Sequence, residues 1–102
     1  MKDAPSCVLI DWEIWEVDEG EDRTFHFVGY NILENEGRVS SSIVSFDPES
    51  NTGVTRTGRR YELRGEAGWN KHAAYVWSMW LTGYGYPPSK PASIDRLVEV
   101  LT

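Results

Sequence analysis

The spacing of apolar residues changes once along this chain of 102 residues, after Gly65 and Gly68, and that change orders its elements. Before it, apolar side chains recur with the period of two that puts alternate residues on one face of a strand. After it they recur with the period near 3.6 that makes a helical stripe. A chain that runs strands first and helices last is read as α+β, not as alternating βαβ units. The prediction is a single domain over residues 1–102: an antiparallel β-meander of about five strands followed by two helices packed on the sheet.

The strand half carries its own punctuation. In CVLIDWEIWEV, Val8, Ile10, Trp12 and Ile14 fall on even positions, then Trp15 and Val17 on odd ones. A period of two that slips by one predicts a bulged or bent strand. Helical spacing of Ile10, Ile14 and Val17 is the rival reading, and the β-branched and aromatic content favours the strand. DEGED then reads as a turn, RTFHFVGYNI as a central strand, and ENEG as a hairpin connection. RVSSSIVSF reads as one strand whose apolar face changes partway, and DPESNTG as turn chemistry. In GVTRTGRRYELRG, Tyr61 and Leu63 face one way while Arg60, Glu62 and Arg64 face the other. Gly58 sits where a tight hairpin connection needs it.

In the helical half, Ala73, Val76, Trp77, Trp80, Leu81 and Tyr84 share one stripe, with Tyr75 and Met79 on a second. Asn70 is the predicted N-cap and Gly83 the predicted stop. YGYPPSKP cannot continue a helix. SIDRLVEVLT reads as a second helix capped by Ser93, with Asp95 in its first turn and Ile94, Leu97, Val98 and Leu101 on one face. The stripe of Trp77, Trp80 and Leu81 is expected to cover a sheet face. Tyr75, Met79, Tyr84 and Tyr86 are then surplus, and aromatic residues and Met are enriched at protein interfaces.

Charge narrows the function classes. A formal charge of −6 disfavours a general nucleic-acid backbone or an anionic membrane as partner, since both need a basic face. Residues 1–22 carry eight of the sixteen acids (Asp3, Asp11, Glu13, Glu16, Asp18, Glu19, Glu21 and Asp22) against one base, Lys2. Residues 56–64 carry Arg56, Arg59, Arg60 and Arg64 against one acid, Glu62. One cysteine, Cys7, can form no internal disulfide, and no signal-like or membrane-spanning run is visible, so a cytoplasmic protein is expected.

Catalytic signals are sparse. His26 lies mid-strand between Phe25 and Phe27 and reads as structural; His72 sits at a helix start without a neighbouring nucleophile or acid. Asp11 and Glu13 would share one strand face, where carboxylates normally meet solvent. Zinc-type ligand spacing, phosphate-binding glycine loops and nucleophile-elbow serines are absent, so neither enzyme activity nor a metal or cofactor is expected.

The middle of the chain, GRVSSSIVSFD, TRTGRRYELRG and YVWSMWL, resembles small uncharacterised proteins of bacterial and phage genomes. These share a Thr-x-Thr/Ser-Gly-x-x-Tyr-x-Leu hairpin, here Thr55, Thr57, Gly58, Tyr61 and Leu63. The resemblance covers about residues 38–82 and implies no activity and no functional residue; it points toward a mobile-element accessory protein.

The functional expectation is therefore a non-catalytic protein-binding domain, of the kind that inhibits a host complex by presenting acids in place of phosphates. Its expected contact residues are Asp11, Glu13, Glu16, Tyr75, Met79 and Tyr84. The alternatives are a sheet-based nucleic-acid binder using Arg56, Arg59, Arg60 and Arg64 with Phe25, Phe27 and Tyr30 as a stacking platform, or a homodimer.

Overall fold

The computed structural model describes residues 4–102, so Lys2 and Asp3 of the acidic N-terminal run lie outside the described residues. Six strands come first: β1 (Cys7–Glu19), β2 (Asp22–Asn31), β3 (Glu36–Val39), β4 (Ile43–Asp47), β5 (Thr52–Thr55) and β6 (Arg60–Leu63). Helix α1 (Lys71–Gly83), a further strand β7 (Ser89–Ala92) and helix α2 (Ile94–Leu101) complete the chain. The α+β class is as expected, but the sheet is not one continuous meander.

It consists instead of two three-stranded meanders, β1–β2–β3 and β4–β5–β6, joined edge to edge where β6 runs parallel to β1 over Cys7–Leu9. The segment read as one strand, RVSSSIVSF, breaks at Ser40–Ser42, and that break carries the chain from the first meander to the second. Its serines supply the polar groups that a broken strand leaves unpaired. Ser40 donates its backbone N–H to the Phe27 carbonyl, and its hydroxyl accepts from the Phe27 N–H, both at 2.9 Å. The other departure is β7, which pairs antiparallel with β1 over Ile14–Val17 beyond the end of β6. The free side of β1 is thus shared, and Gly68 bridges the gap by donating to the Trp12 carbonyl at 3.0 Å.

Because the outermost strands β3 and β4 are separated in sequence only by Ser40–Ser42, the sheet curls upon itself. Phe27 of β2 packs against Phe46 of β4 and Tyr61 of β6, with ring centroids 6.1 and 5.4 Å away. Gly53 of β5 lies beneath the same ring, and a Cβ there would sit 2.5 Å from Phe27 Cζ. Arg38 of β3 also spans the curl, donating from Nε to the Tyr61 hydroxyl at 3.1 Å. The concave side holds the main core of Cys7, Leu9, Trp12, Ile14, Phe25, Phe27, Ile43, Tyr61 and Leu63, closed by Leu97 of α2. Each large apolar side chain fully removed from water there stabilises the fold by about 1.5–3 kcal/mol.

The expected bulge in β1 exists, and it lies earlier than the slip to Trp15 suggested. The register with β2 shifts between Ile10 and Glu13, with Asp11 at φ 46°. Cys7 and Leu9 face the curl before the bulge, and Trp12 and Ile14 face it afterwards. Trp15 and Val17 are apolar for a different reason: they point to the convex face, which α1 covers. There Val17 and Val28 pack with Ala73, Trp77, Trp80 and Leu81, the stripe the helical spacing singled out. The first turn of α1 lies directly on β3, where a Cβ on Gly37 would run into the His72 carbonyl group.

Candidate functional site

Helix α1 is defined at both ends by local chemistry. The Asn70 side chain accepts from the N–H groups of His72 and Ala73 at 2.9 and 3.0 Å. At the other end Tyr84 donates to the Trp80 and Leu81 carbonyls, and Tyr86 donates to the Leu81 carbonyl at 2.8 Å. This closure places two successive residues in the left-handed region, Gly85 at φ 76° and Tyr86 at φ 54°. Glycine takes that conformation freely, whereas a tyrosine there is strained by about 1–2 kcal/mol.

With one stripe of α1 in the core, the surplus residues lie outside. Tyr75, Met79, Tyr84 and Tyr86 are 66%, 54%, 61% and 69% exposed, a density of large side chains that solubility does not call for. Tyr84 is also the outer end of a ring stack rooted in the fold. Trp15 to Trp77, Trp77 to Trp80 and Trp80 to Tyr84 have centroid separations of 5.3, 5.1 and 4.3 Å. The Tyr86 and Thr82 hydroxyls lie 2.9 Å apart, which adds a second restraint. The Tyr84 and Tyr86 rings are thus held in place by the fold, so a contact with them loses little side-chain freedom.

Beside the helix end lies a polar hollow of about 150 Å³. Glu19 and Asp22 at the tip of the β1–β2 hairpin, Thr24 and His26 of β2, Ser41, Ser42, Arg56, Trp80 and Tyr84 line it. His26 is 4% exposed. Its Nδ1 faces the Ser40 carbonyl at 2.9 Å, its Nε2 faces the Thr24 hydroxyl at 2.9 Å, and its ring packs on Trp80 at 4.9 Å. The Thr24 hydroxyl in turn lies 2.7 Å from Glu19 Oε2. Burial pushes the His26 imidazole below its usual pKa, and the Ser40 carbonyl and the Glu19 charge oppose that shift. Chemically, the hollow is a short hydrogen-bonded chain linking a carboxylate to an imidazole.

The acids expected to form one contact array are dispersed. Asp11 is exposed on the bulge. The bulge interrupts the strand alternation that would have put it on one face with Glu13. Glu13 accepts from the Trp15 indole at 3.1 Å. Glu16 requires correction as a surface residue. It is 3% exposed, its carboxylate held by Arg96 at 3.0 Å and Arg23 at 3.2 Å. The hydrogen bond from Arg96 keeps it below the usual carboxylate pKa. The strand alternation turns Glu16 toward α2, and the guanidinium of Arg96 meets it there.

The arginines are also unequal. Arg56, Arg59 and Arg64 are exposed, with Arg64 bound to Glu62 at 2.9 Å, whereas Arg60 is half-buried. The proposed stacking platform is not a surface, since Phe25 and Phe27 are 2% and 0% exposed and Tyr30 packs on His72. Sequence reasoning overlooked Thr24, Ser40 and Glu19 as partners of His26, and Trp69, which is 67% exposed. Only the alternation of β2 hinted that Thr24 and His26 share a face.

Among the described residues, no group of three or more His, Cys, Asp or Glu side chains is arranged to hold a metal ion, and no helix is long and apolar enough to cross a membrane. Scans of the chain against protein-family models, curated proteins and solved structures return no match.

Proposed function

We propose that the chain is a non-catalytic protein-binding domain whose contact face is the outer side of α1 and the turn that ends it. The observation that carries this reading is the exposure of Tyr75 and Met79 on α1, away from its buried stripe, with Tyr84 and Tyr86 exposed in the turn that follows. Tyrosine and methionine suit such a role, because they provide large, adaptable apolar contact at the centre of an interface. The strain at Tyr86 supports the same reading: a bulky exposed side chain is kept where glycine or asparagine would fit better.

Charge supports a choice of partner. Glu19, Glu21 and Asp22 are exposed at the hairpin tip, and Glu19 and Asp22 line the hollow that Tyr84 borders. The complementary surface is a protein patch with apolar anchors for the tyrosines and a basic margin toward the tip. An acidic array built from Asp11, Glu13 and Glu16 has weaker support, since Glu16 is already neutralised inside the fold. Nucleic-acid binding through Arg56, Arg59, Arg60 and Arg64 lacks the exposed aromatic platform that single-strand stacking needs.

Affinity purification from host lysate tests the reading when run in parallel on variants and after nuclease treatment. A protein recovered by the wild type should survive nuclease, be lost with Tyr75→Ser/Met79→Ser, and be retained by Arg59→Glu/Arg60→Glu. Loss only with the arginine variant, or only after nuclease, contradicts it. Sedimentation of the purified chain separates a foreign partner from a second copy.

A further inference from the structure

The hydrogen-bonded chain through the hollow has too few protons for its contacts unless His26 is charged, and that shortage makes it a switch. A backbone carbonyl can only accept, so the 2.9 Å contact to the Ser40 carbonyl places a proton on His26 Nδ1. The Thr24 hydroxyl has one proton and two claimants, Glu19 Oε2 at 2.7 Å and His26 Nε2 at 2.9 Å. If Thr24 donates to the carboxylate, Nε2 must carry its own proton and the imidazole is a cation. If Nε2 is bare, Thr24 donates to it and Glu19 loses its donor.

We propose that His26 and Thr24 form a proton-gated latch on the β1–β2 hairpin tip: proton uptake at His26 Nε2 turns the Thr24 hydroxyl onto Glu19, and proton release frees that carboxylate. The elements around the latch fit a two-position device. His26 is clamped between the Ser40 carbonyl of the β3–β4 link and the Trp80 ring of α1, so its ring stays in place as its charge changes. The charged and titratable groups facing the hollow are Glu19 and Asp22 from the tip, Arg56 from the β5–β6 turn and Tyr84 at the end of α1; the Glu19 carboxylate favours the imidazolium and the Arg56 guanidinium opposes it. Burial also opposes it, so the neutral form, with Glu19 free, prevails on the alkaline side of the ordinary histidine range. Whether the released carboxylate meets a partner's basic margin rests on the α1 reading above, but the latch itself is a property of the free protein and fails or stands separately.

Nitrogen-15 NMR of the His26 ring across a pH titration of the unliganded protein tests it. The neutral form should carry its proton on Nδ1 and the acidic form on both nitrogens. Thr24→Val should lower the His26 pKa, Glu19→Gln should lower it too, and Thr24→Ser should restore the wild-type value. The deciding result is the double variant: Glu19→Gln should have much less effect in the Thr24→Val background than in the wild type, because the link runs through the hydroxyl. A Glu19→Gln shift of equal size in both backgrounds means charge acting through space, and overturns the latch. So does a neutral form protonated on Nε2. The tautomer of the neutral ring is read on the wild type and decides the question if Thr24→Val does not fold.

Discussion

Glu16 and Arg96 meet 80 positions apart in sequence, where the Arg96 Nη2 and Nε atoms reach the two carboxylate oxygens at 3.0 and 3.3 Å and fasten α2 to the central strand. The contact is bidentate on a nearly buried acid, so it orients the helix as well as attracting it. It ties the last element of the chain to the first strand, and Leu97 one residue further on closes the core.

Glu16→Gln should therefore destabilise the fold by about 1–3 kcal/mol, the range for weakening charge-assisted hydrogen bonds to a buried carboxylate, read from the midpoint of denaturant unfolding. The pH dependence has a definite sign. The folded-state pKa of Glu16 is depressed, so its contribution is fully present above the ordinary carboxyl value of 4.5 and is lost as pH falls through the lower folded value. The wild type should lose stability more steeply than Glu16→Gln below pH 4.5.

Gly37→Ala probes the seat of α1. The obstructing atoms are backbone, so the helix itself has to move off β3. A loss of about 1–3 kcal/mol is expected, as for other overpacked sites, with a change in tryptophan fluorescence because Trp77 and Trp80 ride on that helix. An unchanged midpoint and spectrum would mean that α1 does not rest on this strand.

Tyr86→Asn separates folding from binding. Asparagine accepts the left-handed conformation more readily than tyrosine, so the variant should be more stable than the wild type, by up to about 1 kcal/mol. It should also bind the partner more weakly. A variant that is more stable and binds equally well would remove Tyr86 from the contact face.

Much of this architecture was legible locally. The Asn70 and Ser93 caps, Gly58 in its hairpin connection and the Trp77–Trp80–Leu81 stripe follow from residue type and spacing, and each stands as read. The parallel pairing of Cys7–Leu9 with Tyr61–Leu63 was not legible, because strand order depends on contacts between distant segments. Nor was β7, since Lys90 and Pro91 have poor strand character and the edge of β1 recruits them by pairing. The same limit applied to the sites. Tyr75 and Met79 could be seen as surplus to one helical stripe, but the burial of Glu16 depended on where Arg96 would arrive. Ser40 could not be matched to His26 without knowing that the chain breaks there to change meanders.

Amide hydrogen exchange of the complex with whichever partner affinity purification recovers tests the central claim most directly. Binding through the outer side of α1 should slow exchange across Lys71–Gly83 and the closing turn at 84–86, and leave the arginine hairpin at 56–64 as in the free protein. Protection confined to 56–64, with α1 unchanged, would contradict it.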